Sequence, residues 1–181
     1  MVALDPVSAS DAPQSRVVIR LAGPADREMM AIFLADTGGT HRVCRTSAVD
    51  LSKLDAYVAF TGSGETSLFA GLAAARVVGH ELEVSGIVVR DDLEVGESAV
   101  RRLLLGEVIR WIPDGIARVR YITANHELDA MADAQRVGLR LSTVRPNSIE
   151  QVRVRNPVLP LPTGAAGIEA RDELEFELLV G

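Results

Sequence analysis

Glu81-Leu82-Glu83-Val84-Ser85-Gly86-Ile87-Val88-Val89, then Arg90-Asp91-Asp92-Leu93-Glu94-Val95-Gly96-Glu97, then Ser98-Ala99-Val100-Arg101-Arg102-Leu103-Leu104, reads as a strand, a short acidic loop and the opening of a helix. The first nine residues combine β-branched side chains with acids placed two apart, as in a largely buried strand. From about Ser98 to Trp111, Val100, Leu103, Leu104, Val108 and Trp111 recur at helical spacing, which predicts one buried face, with Trp111 packing the helix end. A helix that opens from a tight loop offers unpaired N–H groups to an anion.

Upstream, Ala56–Phe60 and Ser67–Val78 are two more strands, separated by Thr61-Gly62-Ser63-Gly64, and Gly79-His80 turns the chain into Glu81. Three strands joined by glycine turns predict an antiparallel meander. Further upstream, Val17–Leu21 is a strand. Pro24 suits a helical first turn, Asp26 its positive end, and Met29 to Leu34 its apolar face, which stops at Thr37-Gly38-Gly39. Residues 40–55 fit a helix or a loop equally well. Downstream come a strand at Val119–Thr123, a helix over 128–137 ending at Gly138, and strands at Leu139–Val144 and Val152–Val154. A loop rich in proline over 156–167 and a closing strand at Leu174–Val180 complete the chain. This order predicts a mixed α/β (α+β) sheet with helices on both faces.

The 181 residues suit one domain, taken as 16–181 after a flexible tail over 1–15, and a 48% hydrophobic content supplies a core. With 25 acids against 19 bases and a net charge of −6, nucleic acid is not the expected partner. One cysteine, Cys44, excludes a disulfide framework, and His41, His80 and His126 lack metal spacing and read as surface residues. No apolar run spans a membrane and the first fifteen residues are no secretory signal, so a cytoplasmic protein is expected.

Three stretches resemble the GNAT superfamily of acyl-CoA-dependent N-acyltransferases. Val18 to Asp26 is similar to the family's opening strand and helix, Leu82–Val89 with 91–104 to its fourth strand, pyrophosphate loop and third helix, and Ile122–Asn125 through Leu139 to its fifth strand and fourth helix. The resemblance implies a central, mostly antiparallel sheet and transfer of an acyl group, from acetyl-CoA or another acyl-CoA, to a primary amine by direct attack in a ternary complex. It places the cofactor on Ile87, Val88 and Val89, on Glu94, Val95, Gly96, Glu97, Ser98 and Ala99, and on Arg101 and Arg102, with Asn125 beside the thiol. Val88 or Val89 would polarise the thioester oxygen through a backbone N–H. Glu83 is the implied base, with water or Glu81 as relay. The acceptor is a small-molecule or protein amine, bound by residues from 35–55 and 145–170; a homodimer is left open.

The departures from the family pattern lie in the loop and at the acid. Family loops read Arg/Gln-x-x-Gly-x-Gly/Ala, whereas Glu94 and Glu97 fall on two of those places, or Leu93 on the first. A carboxylate some 6–8 Å from a phosphate in a nearly aqueous setting costs roughly 0.5–1 kcal/mol, so the pair weakens binding without forbidding it. The tyrosine used as general acid falls on Ala134, and Glu127 takes the asparagine's place two residues beyond Asn125. Two alternatives therefore stand beside the enzyme: a catalytically silent GNAT-fold binding or regulatory module, and a small-molecule-binding α+β domain unrelated to acyl transfer.

Overall fold

A computed structural model of the chain describes residues 16–45, 47–62, 67–156, 159 and 167–181; the expected tail over 1–15 lies outside them. Nine strands are assigned among these residues: β1 Val17–Leu21, β2 His41–Cys44, β3 Ser47–Asp50, β4 Asp55–Thr61, β5 Leu68–Val78, β6 Glu81–Val89, β7 Arg118–Ala124, β8 Arg140–Arg145 and β9 Glu173–Leu179. The α-helices are α1 Arg27–Asp36, α2 Glu97–Arg110, α3 Leu128–Arg136 and α4 Ser148–Arg155. Seven strands form one sheet in the order β1-β4-β5-β6-β7-β9-β8, and β2 and β3 make a separate hairpin. Every pairing is antiparallel except β6 with β7. This is the mixed, mostly antiparallel sheet with helices on both faces that the sequence predicts.

The two faces follow from the alternation of side chains along the strands. On one face Val100, Leu104, Leu105 and Val108 of α2 and Ala130 and Ala134 of α3 pack on Ala73, Ala75, Leu82, Val84, Ile87, Val119 and Phe176. On the other, Met30 and Leu34 of α1 and Cys44 and Val49 of the hairpin cover Val58, Leu72, Ala74 and Val88. β5 is rich in alanine and glycine because layers approach closely on both sides of it; a Cβ on Gly71 would meet the Val88 carbonyl oxygen at 2.5 Å. Each fully buried leucine in these layers contributes about 1.5–3 kcal/mol of burial.

Three sequence expectations change. Residues 148–155 form a helix instead of a strand at 152–154, because Ile149 and Val152, three apart, are buried while Val154 is 75% exposed. Leu103 and Trp111 are exposed, since α2 buries the stripe through Leu104 and Leu105, and the Trp111 ring N–H donates to Glu107. Residues 40–55 are the β2–β3 hairpin followed by a single 3-10 turn at Leu51–Lys53. Among the described residues no helix is long and apolar enough to cross a membrane.

Candidate functional site

The parallel ladder between β6 and β7 pairs Glu81 to Val84 with Arg118 to Tyr121 and goes no further, although β6 continues to Val89 and β7 to Ala124. The break coincides with a bulge at Ser85, where the β5 register jumps from Gly86 to Val84 between Ala74 and Ala75. A bulge bends its strand and raises the local twist, which parts β6 from β7. Arg90 donates its backbone N–H to Ala70 at 2.9 Å. N–H directions alternate along a strand, so Val88 also donates towards β5, while the N–H groups of Ile87 and Val89 face the gap. Of the two donors expected for a thioester oxygen, Val89 has this direction and Val88 does not.

A cavity opens on each side of the gap. One, of about 370 Å³, lies on the α2–α3 side against Ile87, Val88, Val89, Glu97, Arg101 and residues 126–130. The other, of about 260 Å³, lies on the side of α1 and the hairpin, against residues 37–39 and 41–43, Ser85, Val88, 122–124, Ile149 and Arg153. Both are lined by Arg42, Val88, His126 and Glu127. The smaller cavity thus draws on both stretches from which an acceptor groove was expected.

Burial works against the charge of Glu127, but the Arg42 guanidinium, the Ala124 N–H and the Thr123 hydroxyl outweigh it and hold the carboxyl at about 2. It is a fixed anion. His126 is pushed towards its neutral form: burial lowers its pKa, Glu127 raises it and Arg42 lowers it again. Its Nδ1 is buried without a hydrogen-bond partner among the described residues. Cys44, against the Ser85 carbonyl, is a buried thiol pushed up to about 12 by its burial and by nearby Glu83, and is inert as a nucleophile.

The acidic loop is largely paired within the protein. Asp92 accepts two bonds of 2.7 Å from Arg90, and Leu93 and Val95 pack on the core. Gly96, at φ +77°, turns the chain into α2, which begins at Glu97, one residue before the expected start. Val89 ends the strand that faces the gap, while Ser98 and Ala99 fall in the helix's first turn, whose N–H groups lack intrahelical acceptors. Glu94 is exposed in the loop.

Arg101 and Arg102, expected at the phosphates, are engaged by acidic side chains of the protein. Arg101 bonds Glu97 and, at 2.8 Å, Asp133; Arg102 reaches Asp133 at 3.0 Å and Ser98 at 2.5 Å; Ser98 itself donates to Asp133 at 2.6 Å. Asp133 is fully buried, and a buried carboxylate holds the cations that compensate it, so both guanidinium groups turn towards α3. Asn125, expected beside the thiol, is bonded to the backbone of a later segment. Its carbonyl oxygen accepts the N–H groups of Arg171 and Asp172, and its amide donates to the Glu169 carbonyl, so it fastens residues 169–172 to the end of β7 and lines neither cavity.

Glu83 and Glu81 stand behind the gap. Glu83, 1% exposed, receives Arg76 at 2.6 and 2.8 Å and the Ser85 hydroxyl at 3.0 Å. It reaches the smaller cavity only through Ser85. Glu81, further back, pairs with Arg118 and Arg120. Tyr121 is buried core with its pKa raised by that burial, and Ala134 is fully buried.

His126, read from the sequence as a surface residue, lines both cavities. Its position just past β7, beside the residue in the family's asparagine place, was the available signal.

No family model matches the chain. It is 26% identical over 156 residues to "Uncharacterized protein YdhI" of Bacillus subtilis (strain 168), covering 85% of this chain and 92% of that one. Among solved structures, NAA60 of Arabidopsis thaliana in complex with a bisubstrate analogue superposes with a TM-score of 0.63 at 13% identity, over 92% of this chain and all of that one. A GNAT family acetyltransferase from Elizabethkingia anophelis with acetyl-CoA bound gives 0.59 at 15% identity, over 91% and 98%.

Proposed function

We propose that this chain, which has the fold of the GNAT acetyltransferases, is an acyl-CoA-dependent N-acyltransferase that acylates a primary amine by direct attack in a ternary complex. The observation that carries the reading is the meeting of two cavities, one on each face of the sheet, at the unpaired ends of β6 and β7. A thioester and an amine approaching from opposite faces there would be held as neighbours, which turns a bimolecular encounter into an intramolecular one.

Residues present fit acetyl-CoA or another acyl-CoA as cosubstrate. The Ile87 and Val89 N–H groups are donors without a ladder partner on the β7 side, suited to the amide-bearing arm and the thioester oxygen. The first turn of α2, behind Gly96, suits the diphosphate. The acceptor amine enters from the smaller cavity. Glu83, through the Ser85 hydroxyl, is one route for its proton.

A second reading, a binding module without turnover, draws on the Arg101 and Arg102 pairing with Asp133 and on the lack of a hydroxyl at Ala134. One experiment separates the two. Acetyl-CoA at a hundred times its dissociation constant should stabilise the protein by about 2.7 kcal/mol in a thermal-unfolding assay. Free thiol release with an amine supports the enzyme, a shift without release supports the module, and no shift at millimolar acetyl-CoA ends both.

A further inference from the structure

We propose that His126 is the group that takes the proton from the acceptor amine. The inference rests on the acyl-transfer reading and assigns its chemistry to a side chain for which the sequence predicts no role.

Three observations converge on this residue. His126 lines both cavities, so its ring stands where the two substrates would meet. No hydrogen bond engages either ring nitrogen among the described residues, and Nδ1 is closed off by packing. Of the other ionisable groups that line the cavities, His41 and Asp129 each line only one of them, and the rest are committed elsewhere. Glu127 accepts from Arg42, Thr123 and the Ala124 N–H; Arg42 is held by that same carboxylate; Glu97 and Arg101 hold one another, and Arg153 holds Glu150. A carboxylate that keeps its charge under guanidinium contact is a poor proton acceptor, and Glu83 lies outside the cavities with Arg76 on it. A neutral imidazole is a good one.

Its surroundings favour a reversible exchange. Burial favours the neutral ring, while the adjacent Glu127 anion favours the imidazolium once formed. An incoming ammonium is drawn by the same anion. It passes one proton to the imidazole and becomes R–NH2. Its lone pair forms the C–N bond at the thioester carbon as the C–S bond breaks, and the electron pair leaves with sulfur. The second proton of the nitrogen goes to that thiolate, and the imidazolium returns the first to solvent. Amide, thiol and one proton are the products.

The charged and titratable groups around the ring during a pH titration are His41 and Arg42 of β2, Glu97 and Arg101 of α2, Glu127 and Asp129 at the start of α3, and Arg153 of α4. The test compares wild type, His126→Gln and Glu83→Gln. Acetyl-CoA affinity is measured by calorimetry, and thiol release is followed with spermidine, tyramine, L-lysine and an alanine-starting peptide across about pH 5.5–9. The histidine rings are titrated by NMR with carbon-13 label, the His126 signal being identified by its loss in the variant.

His126→Gln should bind acetyl-CoA as wild type does, lose about 10²–10⁴-fold in kcat/KM for the amine, and lose the acid limb of the profile. The wild-type ring should titrate below the ordinary value of about 6.5. A His126→Gln rate near wild type with the acid limb intact, or a ring that titrates at or above the ordinary value, overturns the assignment and leaves acyl transfer standing. Loss of the acid limb in Glu83→Gln alone gives the proton to Glu83. Wild-type protein that binds no acetyl-CoA, or binds it without thiol release from any of the four amines, overturns His126 and the acyl-transfer reading together.

Discussion

Glu97 sits in the first turn of α2, lines the larger cavity and carries a charge of the same sign as a diphosphate. Its partner Arg101 is thereby shared between Glu97 and Asp133. Glu97→Gln removes one repulsive charge and frees part of a guanidinium beside the cavity. Acetyl-CoA should bind about two- to fivefold tighter, the equivalent of roughly 0.5–1 kcal/mol, as read by calorimetry. The helix start should lose a few tenths of a kcal/mol to about 1 kcal/mol by the same change. Weaker binding would show that the diphosphate lies elsewhere. The acids of this loop were legible in the sequence, but the engagement of Arg101 and Arg102 by Asp133 was not, because Asp133 lies 32 and 31 positions from them. Asn125 and Glu127 show the same asymmetry. Their places at the end of a strand were readable, whereas which of them touches the gap depended on the fold of residues 169–172, far along the chain.

At the scale of elements, α2 and α3 are joined at their polar ends by one fully buried carboxylate, Asp133, which receives Ser98, Arg101 and Arg102. Burial raises its pKa, but these three donors outweigh that and hold it below the ordinary aspartate value. Asp133→Ala leaves Arg101, 7% exposed, without that buried counter-charge. Such a break costs about 3–5 kcal/mol, which urea unfolding would read as a lower midpoint at unchanged slope. A loss under 1 kcal/mol would mean that the arginines simply turn to solvent. The β4–β6 meander was legible because glycine turns and β-branched runs are local signals, and its observed boundaries agree within a residue or two. The helix α4 was not. Val152 and Val154, alternating with arginine, mimic a strand, and only the burial of Val152 together with Ile149, which packs with Ala124 and Ala170, reveals the helical face.

For the whole molecule, the sheet face behind the gap is a lattice of charge: Glu81, Glu83, Glu173, Glu175 and Glu177 from β6 and β9 meet Arg45, Arg76, Arg118, Arg120 and Arg145. Nothing in the sequence announces it, because β9 enters the sheet between β7 and β8 and brings its alternating acids beside arginines from three other segments. The pH response of stability follows from how such carboxylates titrate. Glu127 and Asp26 each sit at about 2 in the folded chain, below their ordinary values of 4.5 and 3.8. Their stabilisation is complete above those ordinary values and is lost as pH falls towards 2. Glu173 has the opposite sign. Burial raises its pKa, so the charge it carries at neutral pH is a cost that disappears as pH falls through its raised value. Stability should therefore hold or rise slightly on mild acidification and then drop below about pH 4.5, with Glu127 alone contributing roughly 1–2 kcal/mol of the drop by about pH 3. Urea midpoints taken from about pH 7 to about pH 3 read this directly. In Glu127→Gln the midpoint should be lower at neutral pH and the acid slope shallower, because the group that titrates there is gone. Parallel curves for the two proteins would mean that the Arg42 contact does not hold the Glu127 proton off, and that the carboxylate beside His126 is not the fixed anion described.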